Sequence, residues 1–247
     1  MRNIWTIAKR EYKLYFMSPV AYVVAFLFLI WIGRFFYLVM ADALQNTLYQ
    51  QASSPSAQVT ISPMVLIIVF TMPAITMRLL AEEQRSGTIE LLLTAPVRDW
   101  EVVIGKWFGA LLFMLTLLAI TLIFPIVHNL MTDPGIDQGL LVAGYLGIIL
   151  LIASMLAVGV MISSFFSNQV VAFFVSLGIA LAFILVQTVS TTSANAWTEF
   201  VNYINYLSHF QNFYDGVIDL KDVVYYLSIT ALGLFLGSAS VESRRWR

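Results

Sequence analysis

The sequence predicts an all-α membrane protein with six transmembrane helices, on three observations. Of its 247 residues, 60% are hydrophobic and only 11% charged, with a mean hydropathy of +0.85, so there are too few charges to cover a soluble globule of this size. Six apolar runs, at 19–39, 63–80, 102–127, 140–163, 170–189 and 223–240, approach or exceed the roughly 20 residues that cross hydrocarbon. Lysine and arginine gather before the first run, between the second and third, and after the last, which places those segments in the cytoplasm.

Taken in order, Ile4, Trp5, Ala8, Tyr12 and Tyr15 recur at helical spacing against Lys9, Arg10 and Lys13. That pattern predicts an amphipathic interface helix over 1–18, lying on the inner membrane surface. Pro19 opens the first span, where a missing N–H does least harm. Its apolar run exceeds the roughly 7–15 residues of a signal h-region, so the helix is read as retained despite the A-x-A at 41–43. Pro73 in the second span and Pro125 near the end of the third are expected to kink or end their helices.

Beyond the fifth span, the outer loop 190–222 carries Trp197, Phe200, Val201, Ile204 and Leu207 on one helical face, with Asn202, Asn205 and His209 off it. This fits an interfacial or re-entrant helix, or else an aromatic belt that anchors a loop. Gly105 and Gly109, Gly233 and Gly237, and Gly178 with Ala182 hold the small-x-x-x-small spacing of closely approaching helices, without naming a partner. No repeat or low-complexity tract divides the chain, so 1–247 reads as one membrane domain. Eleven of the thirteen basic residues fall on one side, leaving Arg34 and Lys221, and both termini are expected in the cytoplasm.

A net charge of −1 with no basic tract excludes a nucleic-acid partner. Cysteine is absent, and His128 and His209, in separate polar loops, are read as solvated, with no metal-ligand spacing beside them. None of the 14 acidic residues falls inside the six runs as drawn. That argues against a proton-driven carrier and against intramembrane catalysis, although sodium held by backbone carbonyls remains open. No G-x-x-x-x-G-K-[ST] loop is present to hold nucleotide phosphates. Arg34 sits near the outer end of the first span, where it either snorkels to the interface or meets an anionic substrate or a partner carboxylate.

The charged stretch EEQRSGTIELLLTAPV at 82–97 interrupts this apolar pattern. Glu82, Glu83 and Arg85 continue the second span into water, and Gly87 offers a left-handed break. Thr88 can then cap a short helix with Ile89, Leu92 and Leu93 on one face, until Pro96 turns Ala95 from helical geometry. Asp99 is expected to cap the helix that runs through Trp100, Val103 and Trp107. The apolar face of the short helix can pack on the protein's own helix over 4–16, or dock in a groove of a cytoplasmic partner.

The pattern E-E-x-R-x-G-T-I-E-x-L-L-x-x-P-V, followed by W-x-x-V-x-G-K-W at 100–107, resembles the membrane subunit of ABC-2 type exporters. In that family the loop, here 82–98, is the coupling helix that touches the nucleotide-binding subunit. The resemblance implies partner docking by Glu82, Glu83, Arg85, Gly87, Thr88, Glu90, Leu91 and Pro96, with Gly87 and Pro96 as hinges. It implies ATP and Mg on a separate ATP-binding cassette subunit, no cofactor on this chain, a second permease chain, and a prokaryotic inner membrane. Arg34, Phe200 and Tyr203 become candidates for a substrate path or gate. SHFQNFYDGVIDLKDVVYY at 208–226 and ESRRW at 242–246 are similar to gliding-motility-associated and nitrous-oxide-maturation permeases. The expected activity is ATP-driven export; the alternatives are transmission of force to an accessory membrane or extracytoplasmic protein, and an ATP-independent carrier or anchor.

Overall fold

The structure, a computed structural model, describes residues 2–48, 57–87, 97–132, 135–190 and 203–245. Its elements are α1 (Arg2–Met17), α2 (Pro19–Leu48), α3 (Gln58–Thr76), α4 (Ala81–Ser86), α5 (Asp99–Thr121), α6 (Ile123–Met131), α7 (Gln138–Phe165), α8 (Gln169–Ser190), α9 (Tyr206–Tyr214) and α10 (Leu220–Arg245). All are helical, the one open-ended form whose backbone bonds close within the segment, as hydrocarbon requires. Pro19–Asp42, Gln58–Ser86, Asp99–Met131, Gln138–Phe165 and Leu220–Ser243 are long and apolar enough to cross a membrane, and Gln169–Leu185 is a shorter apolar helix where the fifth span was predicted.

Helix α7 is the hub, packed by α3, α5, α8, α9 and α10, with Ile148, Leu151, Ile152 and Leu156 fully buried. Glycine allows the closest approach: a Cβ at Gly233 would lie 2.8 Å from the Ala157 carbonyl carbon, so α10 lies against the α7 backbone. The pair Gly105 and Gly109 has an unexpected partner, the surface helix α1. A Cβ at Gly105 would meet Ile7 at 2.8 Å, and one at Gly109 would meet Glu11 Cβ at 2.6 Å and the Ala8 carbonyl at 2.9 Å. At Gly178 nothing lies within 4 Å.

Gly109→Val should therefore lift α1 from α5, because overpacking at a close approach costs about 1–3 kcal/mol. The chain has no cysteine, so an Ala8→Cys probe reads the contact. The buried thiol should resist a membrane-impermeant maleimide and become reactive with Gly109→Val, whereas Gly178→Val should leave it protected. Equal labelling in all three would remove the role assigned to Gly109.

Both prolines act, in different ways. α3 ends three residues beyond Pro73, with the Met77 N–H donating to the Pro73 carbonyl. Near Pro125 the break comes earlier, at Leu122, and Pro125 lies in the first turn of α6, where its missing N–H costs nothing.

Four expectations are corrected. His128 is fully buried on α6, edge-on to Phe36, and His209 is buried on α9; packing against other helices, rather than loop composition, decides their exposure. Asp222 lies two residues into α10 and is fully buried, so the last span does hold a carboxylate. Ile204 and Leu207 do not share a continuous helix, because the Asn205 side chain accepts the Leu207 N–H and starts α9 afresh. Asn205 itself is fully buried, its amide donating to the Phe183 carbonyl, while the Tyr206 hydroxyl donates to that of Ala180. Those partners set the start of α9 well inside the bundle. Residues 191–202, which carry Trp197 and Phe200, lie outside the described residues.

Candidate coupling site at the basic end of the bundle

At the bundle end that carries α1, α4 and the end of α10, three charged side chains from three helices meet. Lys106 of α5 is 3% exposed, and its Nζ lies 3.0 Å from Glu11 Oε1 of α1 and 2.8 Å from Glu83 Oε1 of α4. Gly105 and Gly109 bring α1 near enough for Glu11 to reach inward. A lysine this buried is tolerated only when paired, and two carboxylates hold it from opposite sides.

The start of α5 adds a second tie. Glu101 accepts the Arg98 N–H at 3.0 Å and the Asn3 amide at 3.1 Å, so it closes the helix start and reaches α1 together. The cap position is Arg98, one residue before the expected Asp99; Arg98 has only donors to offer, and the carboxylate three residues on provides the acceptor.

Helix α4 is short, so its orientation depends on its neighbours. The Ser163 hydroxyl of α7 accepts the Leu80 and Ala81 N–H groups, both at 3.1 Å, and donates to the Met77 carbonyl at 3.3 Å. Backbone donors left over at a helix start are thereby satisfied from another helix. The Gln84 amide donates to the Ser164 carbonyl at 2.8 Å, and Ser240 of α10 donates to the same oxygen at 3.2 Å. α4 is thus a spur fastened to α1, α5 and α7, ending at Gly87 with φ +71°, the left-handed cap that glycine adopts at least cost.

The predicted docking residues divide accordingly. Glu82 and Arg85 are exposed on the spur, Glu83 turns inward to Lys106, and Gly87 ends the helix. Thr88, Glu90, Leu91 and Pro96 lie outside the described residues. Of the candidate path residues, Arg34 is exposed on α2 with its guanidinium 5.8 Å from the Tyr37 ring centre, and Tyr203 is 71% exposed, its ring edge-on to His209 at 5.8 Å. Phe200 lies outside the described residues. Sequence reasoning used Lys106 only as a topological marker and passed over Glu11, Asn3 and Ser163. A lysine five residues into an apolar run was itself the sign that a carboxylate must come to meet it.

Among the described residues no three or more histidine or acidic side chains are grouped to hold a metal ion. No curated protein matches the chain. The family model described as ABC-2 family transporter protein matches residues 5–241; its match runs from the start of α1 almost to the end of α10 and takes in the whole spur. The chain is a multi-pass membrane protein that belongs to the ABC-2 family of transporters.

Proposed function

We propose that this chain is the permease subunit of an ATP-driven exporter, and that 82–98 is where a separate ATP-binding cassette subunit delivers its motion. ABC-2 membership implies such a partner and a dimeric arrangement in general. The observation that carries the reading is the fastening of α4. A loop that receives force needs a stiff root, and this root is tied by Lys106 to α1 and α5 and by Ser163 to α7. Push at 88–96 then reaches α1, α5 and α7 together, with Gly87 as hinge. Glu82, Arg85 and Glu90 dock the ATPase, ATP and Mg stay on that subunit, and the basic end faces the cytoplasm of a prokaryotic inner membrane.

Purification in mild detergent tests this directly. A stoichiometric ATP-binding protein should accompany the wild-type chain, and Gly87→Pro or Glu90→Ala should reduce its retention or its permease-stimulated hydrolysis at least fivefold while membrane insertion persists. A transport-active chain that never retains an ATPase would refute the reading.

A further inference from the structure

Beside the Lys106 node lies a cavity of about 840 Å³ between α1, the end of α3, α4 and the start of α5. Among the described residues its walls carry three cations, Arg10, Arg78 and Lys106, and three carboxylates, Glu11, Glu82 and Glu83. Glu11 and Glu83 are turned to Lys106. Arg10 and Arg78 form no ion pair among the described residues. Arg78 is half-buried, and its charge reaches the phenol of Tyr15, which burial and the nearby Glu11 push upward and Arg78 pulls back. A guanidinium withdrawn from water without a carboxylate is a standing demand for an anion.

The rest of the lining narrows the anion. Leu14, Met17 and Leu79 give the cavity apolar walls. Along α1, Trp5, Phe16 and Met17 are 55%, 40% and 77% exposed, as suits a helix lying in the headgroup layer. Among the described residues the formal charges of the lining balance, which favours a zwitterion over a net anion, and the exposed Glu82 offers an acceptor for the zwitterion's positive group.

We propose that this cavity seats the headgroup of a phospholipid with a primary amine, the phosphate held by Arg10 and Arg78 and the ammonium donating to Glu82. The inference rests on the reading that the basic end lies at the membrane surface, and it adds a lipid to the joint through which α4 would act. The lipid bridges α1, the segment that follows α3, and α4, beside the Lys106 tie.

Native mass spectrometry of the full chain, titrated in detergent with phosphatidylethanolamine, tests it. Phosphatidylethanolamine should be retained roughly tenfold more tightly than phosphatidylcholine, whose quaternary amine cannot donate, or phosphatidylglycerol, which lacks the amine. Arg10→Gln with Arg78→Gln should weaken binding roughly tenfold to a hundredfold, and Glu82→Gln should bring phosphatidylethanolamine down to the phosphatidylcholine level. Lys9→Gln with Lys13→Gln removes the same charge from α1 at two residues that line the adjoining groove and not this cavity, and should leave binding within about threefold. Equal loss in the two double variants, or equal retention of the three lipids, would mean general surface attraction and overturn the proposal. Displacement by soluble phosphoethanolamine at matched concentration would overturn the lipid source. A chain that retains its ATPase but no lipid would refute this inference alone, and one that retains lipid but no ATPase would refute the proposed function alone.

Discussion

Lys106→Met should lower the unfolding midpoint of the purified chain by roughly 6–20 °C, the largest change expected at the basic end. Removing the cation leaves Glu11 and Glu83, whose side chains are only 11% and 17% exposed, as like charges converging on an apolar methionine. Breaking a buried ion pair from one side costs about 3–5 kcal/mol, because the remaining charge has lost its partner without regaining water. The triple variant that adds Glu11→Gln and Glu83→Gln should recover most of the loss, since neutral amides carry no charge to strand. A midpoint within about 2 °C of wild type for Lys106→Met alone would show that the contacts do not hold α4. Recovery of stability without recovery of the ATPase stimulation expected under the proposed function would separate the part proposed for the node in transmission from its role in folding.

Asp222→Ala should release α9 at the opposite end. Both carboxylate oxygens are in use: Oδ1 lies 2.6 Å from His209 Nδ1, and Oδ2 accepts the Asn212 amide at 2.6 Å. His209 Nε2 lies 2.9 Å from the Tyr203 carbonyl, and the imidazole stacks on Tyr225 with ring centres 3.8 Å apart. Alanine removes the acceptor for the buried His209 and the half-buried Asn212 together, at a cost of about 3–5 kcal/mol. Amides in 206–214 should then exchange with deuterium at least a hundredfold faster, while those in the last turns of α7, at the other end of the bundle, keep their protection. Unchanged exchange in 206–214 would mean that α9 is held by Phe210 and Phe213 against α7 rather than by the carboxylate.

The fold was legible because its signals are one-dimensional. Runs of apolar residues and the segregation of lysine and arginine follow from the thickness of hydrocarbon and from charge transfer across it, whatever the helices later touch. Pro73 and Gly87 were legible for a similar reason, since a missing N–H and a missing Cβ act on the local backbone. The site was less so. Glu11 belongs to the charged side of an amphipathic pattern, and only the glycines of α5, far along the chain, make room for it beside Lys106. His209 looked solvated, and Asn205 fell off the apolar face, for the same reason: a polar side chain is buried when another helix offers it a partner, and Asp222 and the Phe183 carbonyl are not neighbours in sequence. Spacing showed that Gly105 and Gly109 mark a close approach; their geometry shows that the approaching helix is the chain's own first helix.

The seating of α1 on α5 also has a mechanical meaning. A helix of 16 residues is a beam roughly 24 Å long, and it is clamped to α5 by Gly105, Gly109, Lys106 and Glu101. Under the proposed function, a tilt of α5 would carry that beam with it, with the exposed Leu14, Phe16 and Met17 along its length. Such a stroke would displace lipid, and its speed would then depend on the viscosity and lateral pressure of the leaflet beside the helix.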